Sequence, residues 1–291
     1  MNRRLKLIRI IVSIYCIEMI TGALVGILPS HIGDLLIEMQ LMHLVLCGAL
    51  GWIALWLVFA MFFGRVYCSS VCPTGTLIDV LSRIVRRGRR YRFSPPDNAL
   101  RYGMLALVVI CMAIGLKNVP EVLDPDSAYA VMASEFMFHI KKAFGIPSVY
   151  VASASVLGLF VSVAMLMILT IFARIGGRTF CNTLCPAGAI LSLVSRNSVF
   201  HFDINTDLCT HCGHCEEVCK ARCVDHRNGA VDMSRCVVCF NCTDVCGNGA
   251  VSYTARRHRL ATPMLQRAKG MASAMQARES SIIKHDINKK K

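Results

Sequence analysis

The sequence predicts a mainly α membrane protein, with four transmembrane helices arranged as two parallel two-helix repeats and a small α+β domain behind them. Three observations lead there. The chain of 291 residues is 55% hydrophobic and only 17% charged, and its apolar residues gather in four long runs. A twenty-residue stretch beginning at residue 64 returns at residue 177. Sixteen cysteines are present, eight of them in two copies of one spacing between residues 209 and 246.

The four runs cover residues 7–28, 42–63, 102–116 and 149–172. At a rise of about 1.5 Å per residue, about 20 residues cross the hydrocarbon core. The third run is short, and its helix is expected to reach back to Leu100 and on to Val119. Residues 1–9 carry four Lys and Arg, the 64–101 connection eight, and everything after Phe172 seventeen. The 29–41 connection carries none and 117–148 carries three. The positive-inside rule then puts both termini and the cysteine-rich domain in the cytoplasm, in a multi-pass protein of the cytoplasmic (inner) membrane. The net charge of +14 follows from that topology, and no nucleic-acid motif accompanies it. Arg3-Arg4 raises a twin-arginine export signal as the alternative. The next run is as long as a full span and lacks a small-residue cleavage site, so it reads as an anchor.

"GRVYCSSVCPTGTLIDVLSR" (64–83) and "GRTFCNTLCPAGAILSLVSR" (177–196) match at eight of twenty positions. Each copy follows a pair of runs, so residues 1–199 form one domain with two Cys-x₃-Cys-Pro elbows, at 64–75 and 177–188. Parallel repeats bring both elbows to one membrane surface. Cys68, Cys72, Cys181 and Cys185 are then candidates for a joint metal or cluster site, since four thiolates suit a tetrahedral metal or an iron–sulfur cluster. Redox-active thiols and plain packing are the alternatives. Cys16, Cys47 and Cys111, each alone inside a run, read as packing residues.

The domain at 200–254 contains "CTHCGHCEEVC" and "CVVCFNCTDVC", each C-x₂-C-x₂-C-x₃-C. This is the bacterial ferredoxin spacing, in which three thiolates hold one [4Fe–4S] cluster and the fourth crosses to the other. Cluster one is assigned Cys209, Cys212, Cys215 and Cys246; cluster two is assigned Cys236, Cys239, Cys242 and Cys219. Zinc sites pair cysteines two and two, which does not suit a three-plus-one grouping. Lys220 and Gly247 stand where the usual motif has proline. Cys223 is extra, either a packing residue or a substitute for Cys219. His211 and His214 are expected to face solvent.

With these elbows ahead of a doubled four-iron motif, residues 7–254 resemble the NapH/NosR-type membrane ferredoxins, and the NapH-type quinol dehydrogenase subunit has similar size and layout. The resemblance implies electron transfer between the quinone pool and a ferredoxin or cytochrome-type redox partner. Rival functions are a redox-sensing or metal-reducing assembly factor, or a docking anchor for a periplasmic reductase. Glu18, within the first run, is the candidate proton acceptor from quinol; the alternative is a protonated carboxyl bonded between helices. His43 reads as an interfacial histidine. Segment 129–144 reads as an interfacial amphipathic helix, placing Tyr129, Met132, Phe136, Met137, Ile140 and Phe144 on one face. It either roofs a quinone pocket or seals the bundle. The basic tail 255–291 suits anionic lipid or a partner, or stays solvated.

Overall fold

The computed structural model describes residues 2–24, 29–47, 49–86, 88, 90–116, 125–144 and 156–255. The basic tail beyond residue 255, and residues 117–124 and 145–155, lie outside them. The long helices are α1 (Asn2–Leu24), α4 (Leu50–Phe63), α7 (Asn98–Ala113), α8 (Pro125–Ala143) and α9 (Val156–Gly176). Shorter helices fill the gaps between them: α2 (Ser30–Glu38), α3 (Leu41–Cys47), α5 (Tyr67–Ser70), α6 (Pro73–Val85), α10 (Thr179–Thr183) and α11 (Pro186–Ser195).

Among the described residues, one helix, Arg4–Leu24, is long and apolar enough to cross a membrane. Leu50–Phe63, Asn98–Ala113 and Val163–Gly176 are apolar but shorter. All four leave large apolar side chains uncovered, among them Ile11, Phe62, Ile110 and Ile171. Such faces suit lipid, where apolar exposure carries no penalty.

The second run, expected as one helix over 42–63, is divided into α3 and α4, with Ala49 outside helical geometry. Gly48 and Gly51 weaken helix propensity at this point. Tertiary bonds hold the pieces: Trp56 Nε1 donates to the Met39 carbonyl at 3.1 Å and the Leu41 amide donates to Tyr67 Oη at 3.0 Å. The third helix starts at Asn98, capped by the Asp97 side chain, and the fourth continues to Gly176. In α8, Tyr129 is buried and shares a 2.7 Å hydrogen bond with Thr21, whereas Phe136, and Phe144 just past its end, are exposed.

The C-terminal part is a small α+β unit. Strands β1 (His201–Ile204) and β4 (Val251–Thr254) pair antiparallel with His201 opposite Thr254; β2 (Val224–Asp225) pairs with β3 (Ala230–Val231). Helices α12 (His214–Glu217) and α13 (Asn241–Val245) carry the segments between thiols. This unit is tied to the rest of the chain. The Val199 and Phe200 amides bond the carbonyls of Met61 and Phe62, and Tyr253 Oη bonds that of Phe63. They take up carbonyls left unpaired at the end of α4. Lys6 of α1 pairs with Asp244 at 2.6 Å, and the 91–94 connection bonds Glu216, Glu217 and Arg222.

Candidate iron–sulfur centres

The elbows are built alike. Cys72 caps α6 and Cys185 caps α11; each Sγ accepts the amide of the glycine three residues on, at 3.4 and 3.3 Å. Proline follows each cysteine at the first helical position, where its missing N–H costs nothing. A helix N-terminus favours the thiolate. Gly75 and Gly188 are required by close approach: a Cβ on either would fall 2.2 Å from the carbonyl oxygen of Cys68 or Cys181.

Two arginines cross between the copies. Arg65 Nη2 donates to the Cys181 carbonyl at 3.0 Å and lies 3.8 Å from Cys68 Sγ. Arg178 donates to the Cys68 carbonyl and, through Nε, to Asp79 at 2.9 Å. Both are fully buried. The elbow cysteines Cys68, Cys72, Cys181 and Cys185 all belong to one buried cluster. Burial pushes the Cys181 thiol up, against the pull of Arg178 and Arg65.

Asp79 is the carboxylate at the centre of this region. Burial would raise its pKa, but Arg178 and Lys220, with Arg9 beyond them, hold it far below the usual carboxylate range. Lys220 Nζ lies 3.4 Å from Asp79 Oδ1 and Arg9 Nη2 lies 3.5 Å from Oδ2. Lys220 therefore occupies the proline position of the ferredoxin motif as a buried ion-pair partner. Sequence reasoning registered the departure but not its use, because Asp79 is 141 positions away (220 − 79).

The two thiol loops share an unusual backbone. His211 and Gly213 in the first, Val238 and Phe240 in the second, all have positive φ, between 53° and 78°. Val238 is β-branched, so this is strained geometry that the surroundings must hold. Such turns aim successive N–H groups into one concavity, an anion-binding arrangement found at iron–sulfur sites. Cys209, Cys212, Cys215 and Cys246 line one cavity of about 280 Å³. Burial pushes the Cys215 thiol up to about 11, and the nearby Cys209, Cys246 and Cys212 add to it. Binding a metal here must therefore release protons.

In the second loop Cys236 and Cys242 are buried and Cys239 is partly so. Their thiols lie close enough to Cys219 to act on one another electrostatically. The Cys223 Sγ lies 3.5 Å from Cys219 Sγ and also bonds Cys236, so the second group contains five thiols. Among the described residues no three His, Cys, Asp or Glu side chains are close enough to hold one metal ion. Cluster-binding thiols stand further apart, because the inorganic core lies between them. The donor set and the inward-facing amides fit an anionic iron–sulfur core.

Glu18 is exposed on α1, and His211 and His214 are exposed. His43 is partly buried, Cys111 is buried and Cys16 partly so. The Cys47 side chain lies outside the described set.

A family model described as a 4Fe–4S binding domain matches residues 45–92 and 157–205, one match over each elbow. Among curated proteins, the putative electron transport protein YccM of Escherichia coli is 24% identical over 65% of this chain and 51% of its own length. The ferredoxin-type protein NapH of Haemophilus influenzae is 23% identical, over 69% and 66%. The regulatory protein NosR of Pseudomonas aeruginosa is 24% identical, over 62% and 24%. The chain thus spans half to two thirds of the first two relatives and a quarter of the third. No solved structure matches the chain. The paired match over both elbows, taken with these relatives, makes the chain similar to the NapH/NosR-type ferredoxin proteins.

Proposed function

We propose that this iron–sulfur electron-transfer protein works in the cytoplasmic membrane, passing electrons between the quinone pool and a ferredoxin or cytochrome-type partner as a quinol dehydrogenase subunit. Cys209, Cys212, Cys215 and Cys246 would hold one [4Fe–4S] cluster, and Cys236, Cys239, Cys242 and Cys219 the other. Cys68, Cys72, Cys181 and Cys185 would hold a further cluster, a reading supported by a 4Fe–4S model matching both elbows. Each cluster supplies one-electron transfer when bound. The four-span topology, the division at residues 199/200 and the cytoplasmic side belong to this proposal.

One observation carries it: Cys239 of the second thiol loop packs against the buried cluster that contains all four elbow thiols. That contact supports a continuous route from the C-terminal unit to the membrane-embedded part. Arg65 and Arg178 fix the elbow carbonyls, and Lys220 and Arg178 pair with the buried Asp79 carboxylate.

The test is anaerobic purification of the full chain in lipid nanodiscs, followed by addition of quinol. Bleaching of the iron–sulfur absorbance by quinol, reversed by quinone, is the expected result. Protein that dithionite bleaches and quinol of either benzo- or naphthoquinone type does not would overturn the quinone link.

A further inference from the structure

Along α1, Leu5, Ile8, Arg9 and Val12 line an open, groove-like cavity of about 470 Å³ whose other walls come chiefly from α4 and the first elbow. Tyr15, Cys16, Met19 and Ile20 line a second, of about 210 Å³. The two share Met39, Trp56 and Val71, so they adjoin. The α1 residues recur every three or four positions and form one stripe. From Leu5 to Ile20 that stripe is roughly 22 Å long at 1.5 Å per residue. The space is long and apolar.

Two features distinguish one end of it. Trp56, Phe59, Tyr67 and Phe240 supply aromatic rings to the larger cavity, and Val238 and Phe240 flank Cys239 of the second thiol loop. Arg9 is the one charged residue in either lining. Its Nε is buried with no hydrogen-bond partner, while Nη2 points to Asp79 at 3.5 Å. A buried N–H without an acceptor is costly, and a ligand oxygen would satisfy it. An acceptor-bearing flat ring joined to a long apolar chain matches both ends; a phospholipid phosphate would also suit Arg9, but it would bring a second acyl chain and a hydrated headgroup to an end otherwise lined by aromatic rings.

We propose that this double cavity binds an isoprenoid quinone, its ring between Arg9 and the aromatic side chains beside Cys239 and its chain along α1 towards Ile20. The inference rests on the quinone reading above and adds the place, which no motif in the chain marks. Glu18, the candidate raised by the sequence, lines neither cavity.

The test uses the full-length holoprotein in nanodiscs and a photoreactive azidoquinone with a short isoprenoid chain. Label is expected on peptides containing residues 5–12 and 55–59, competed by unlabelled quinone. Val12→Trp, which fills the cavity, should abolish that label at unchanged iron content. Arg9→Met should weaken competition by about tenfold or more, the value of one buried bond from a charged donor. Label confined to other helices, label indifferent to Val12→Trp, or recovery of phospholipid alone from the site overturns the proposal. If quinol still bleaches Val12→Trp as it does the parent, the site is wrong and the function stands. If quinol fails on the parent protein that dithionite bleaches, both fall.

Discussion

Arg178 reaches out of the second elbow and donates to the carbonyl oxygen of Cys68 in the first. Its counterpart Arg65 makes the reciprocal bond to Cys181. The repeat is thus an exchange: each copy completes the other, and neither elbow has its full set of bonds alone.

Removing Arg178 should be severe. Arg178→Met would leave Asp79 buried with two weaker partners and the Cys68 carbonyl without its donor. Breaking a buried pair in this way costs about 3–5 kcal/mol. Arg178→Lys should fail to rescue, because one ammonium does not reproduce a planar fork that serves a carboxylate and a carbonyl together. Thermal unfolding in detergent reads both; a wild-type midpoint in either variant would remove Arg178 from the elbow's support.

The acid limb of stability should depend on Asp79. Its folded pKa lies below its unfolded one, so its contribution is fully present above about pH 4 and is lost as pH falls further. Asp79→Asn should therefore be less stable at pH 7 and lose less on acidification. A parallel pH profile for both proteins would contradict this.

Cys219 and Cys223 should be redundant in part. With 3.5 Å between their sulfurs, Cys223 is placed to replace its neighbour. Cys223→Ser alone should keep roughly eight irons in the C-terminal unit, the content of two four-iron clusters. Cys219→Ser should damage the second cluster and spare the first. The double variant should lose about four irons outright. Additive losses would show Cys223 to be a packing residue.

The four elbow thiols should act as a unit. Single serine variants at Cys68, Cys72, Cys181 and Cys185 should lose the same extra iron, and doubles across the repeats should be hardly worse than singles. Metal content and redox titration measure this. A harmful Cys68→Ser beside a silent Cys181→Ser would separate the elbows and favour redox thiols or packing.

Topology is open to reporter fusions. A cytoplasmic reporter after Arg92 and a periplasmic one after Pro125 should both be active, following the charge asymmetry. A periplasmic reporter active after Arg259 would reverse the orientation.

Local and periodic features were legible in the residues alone. Thiol spacing within a loop, the repeated elbow and the proline after each second cysteine are short-range patterns, and each can be read in the order of residues. The offset repeat even identified which arginines and glycines correspond. Helix ends were less legible, as α3 and α4 show: a run of apolar residues does not reveal a break held by the bonds of Trp56 to Met39 and of Leu41 to Tyr67. Contacts between distant parts of the chain emerged only on packing. Asp79 meets Lys220, Arg65 meets Cys181, and Arg9 is left with an unpartnered Nε at the edge of an apolar cavity. A buried charge is defined by its partners, and partners this distant in sequence are chosen by packing.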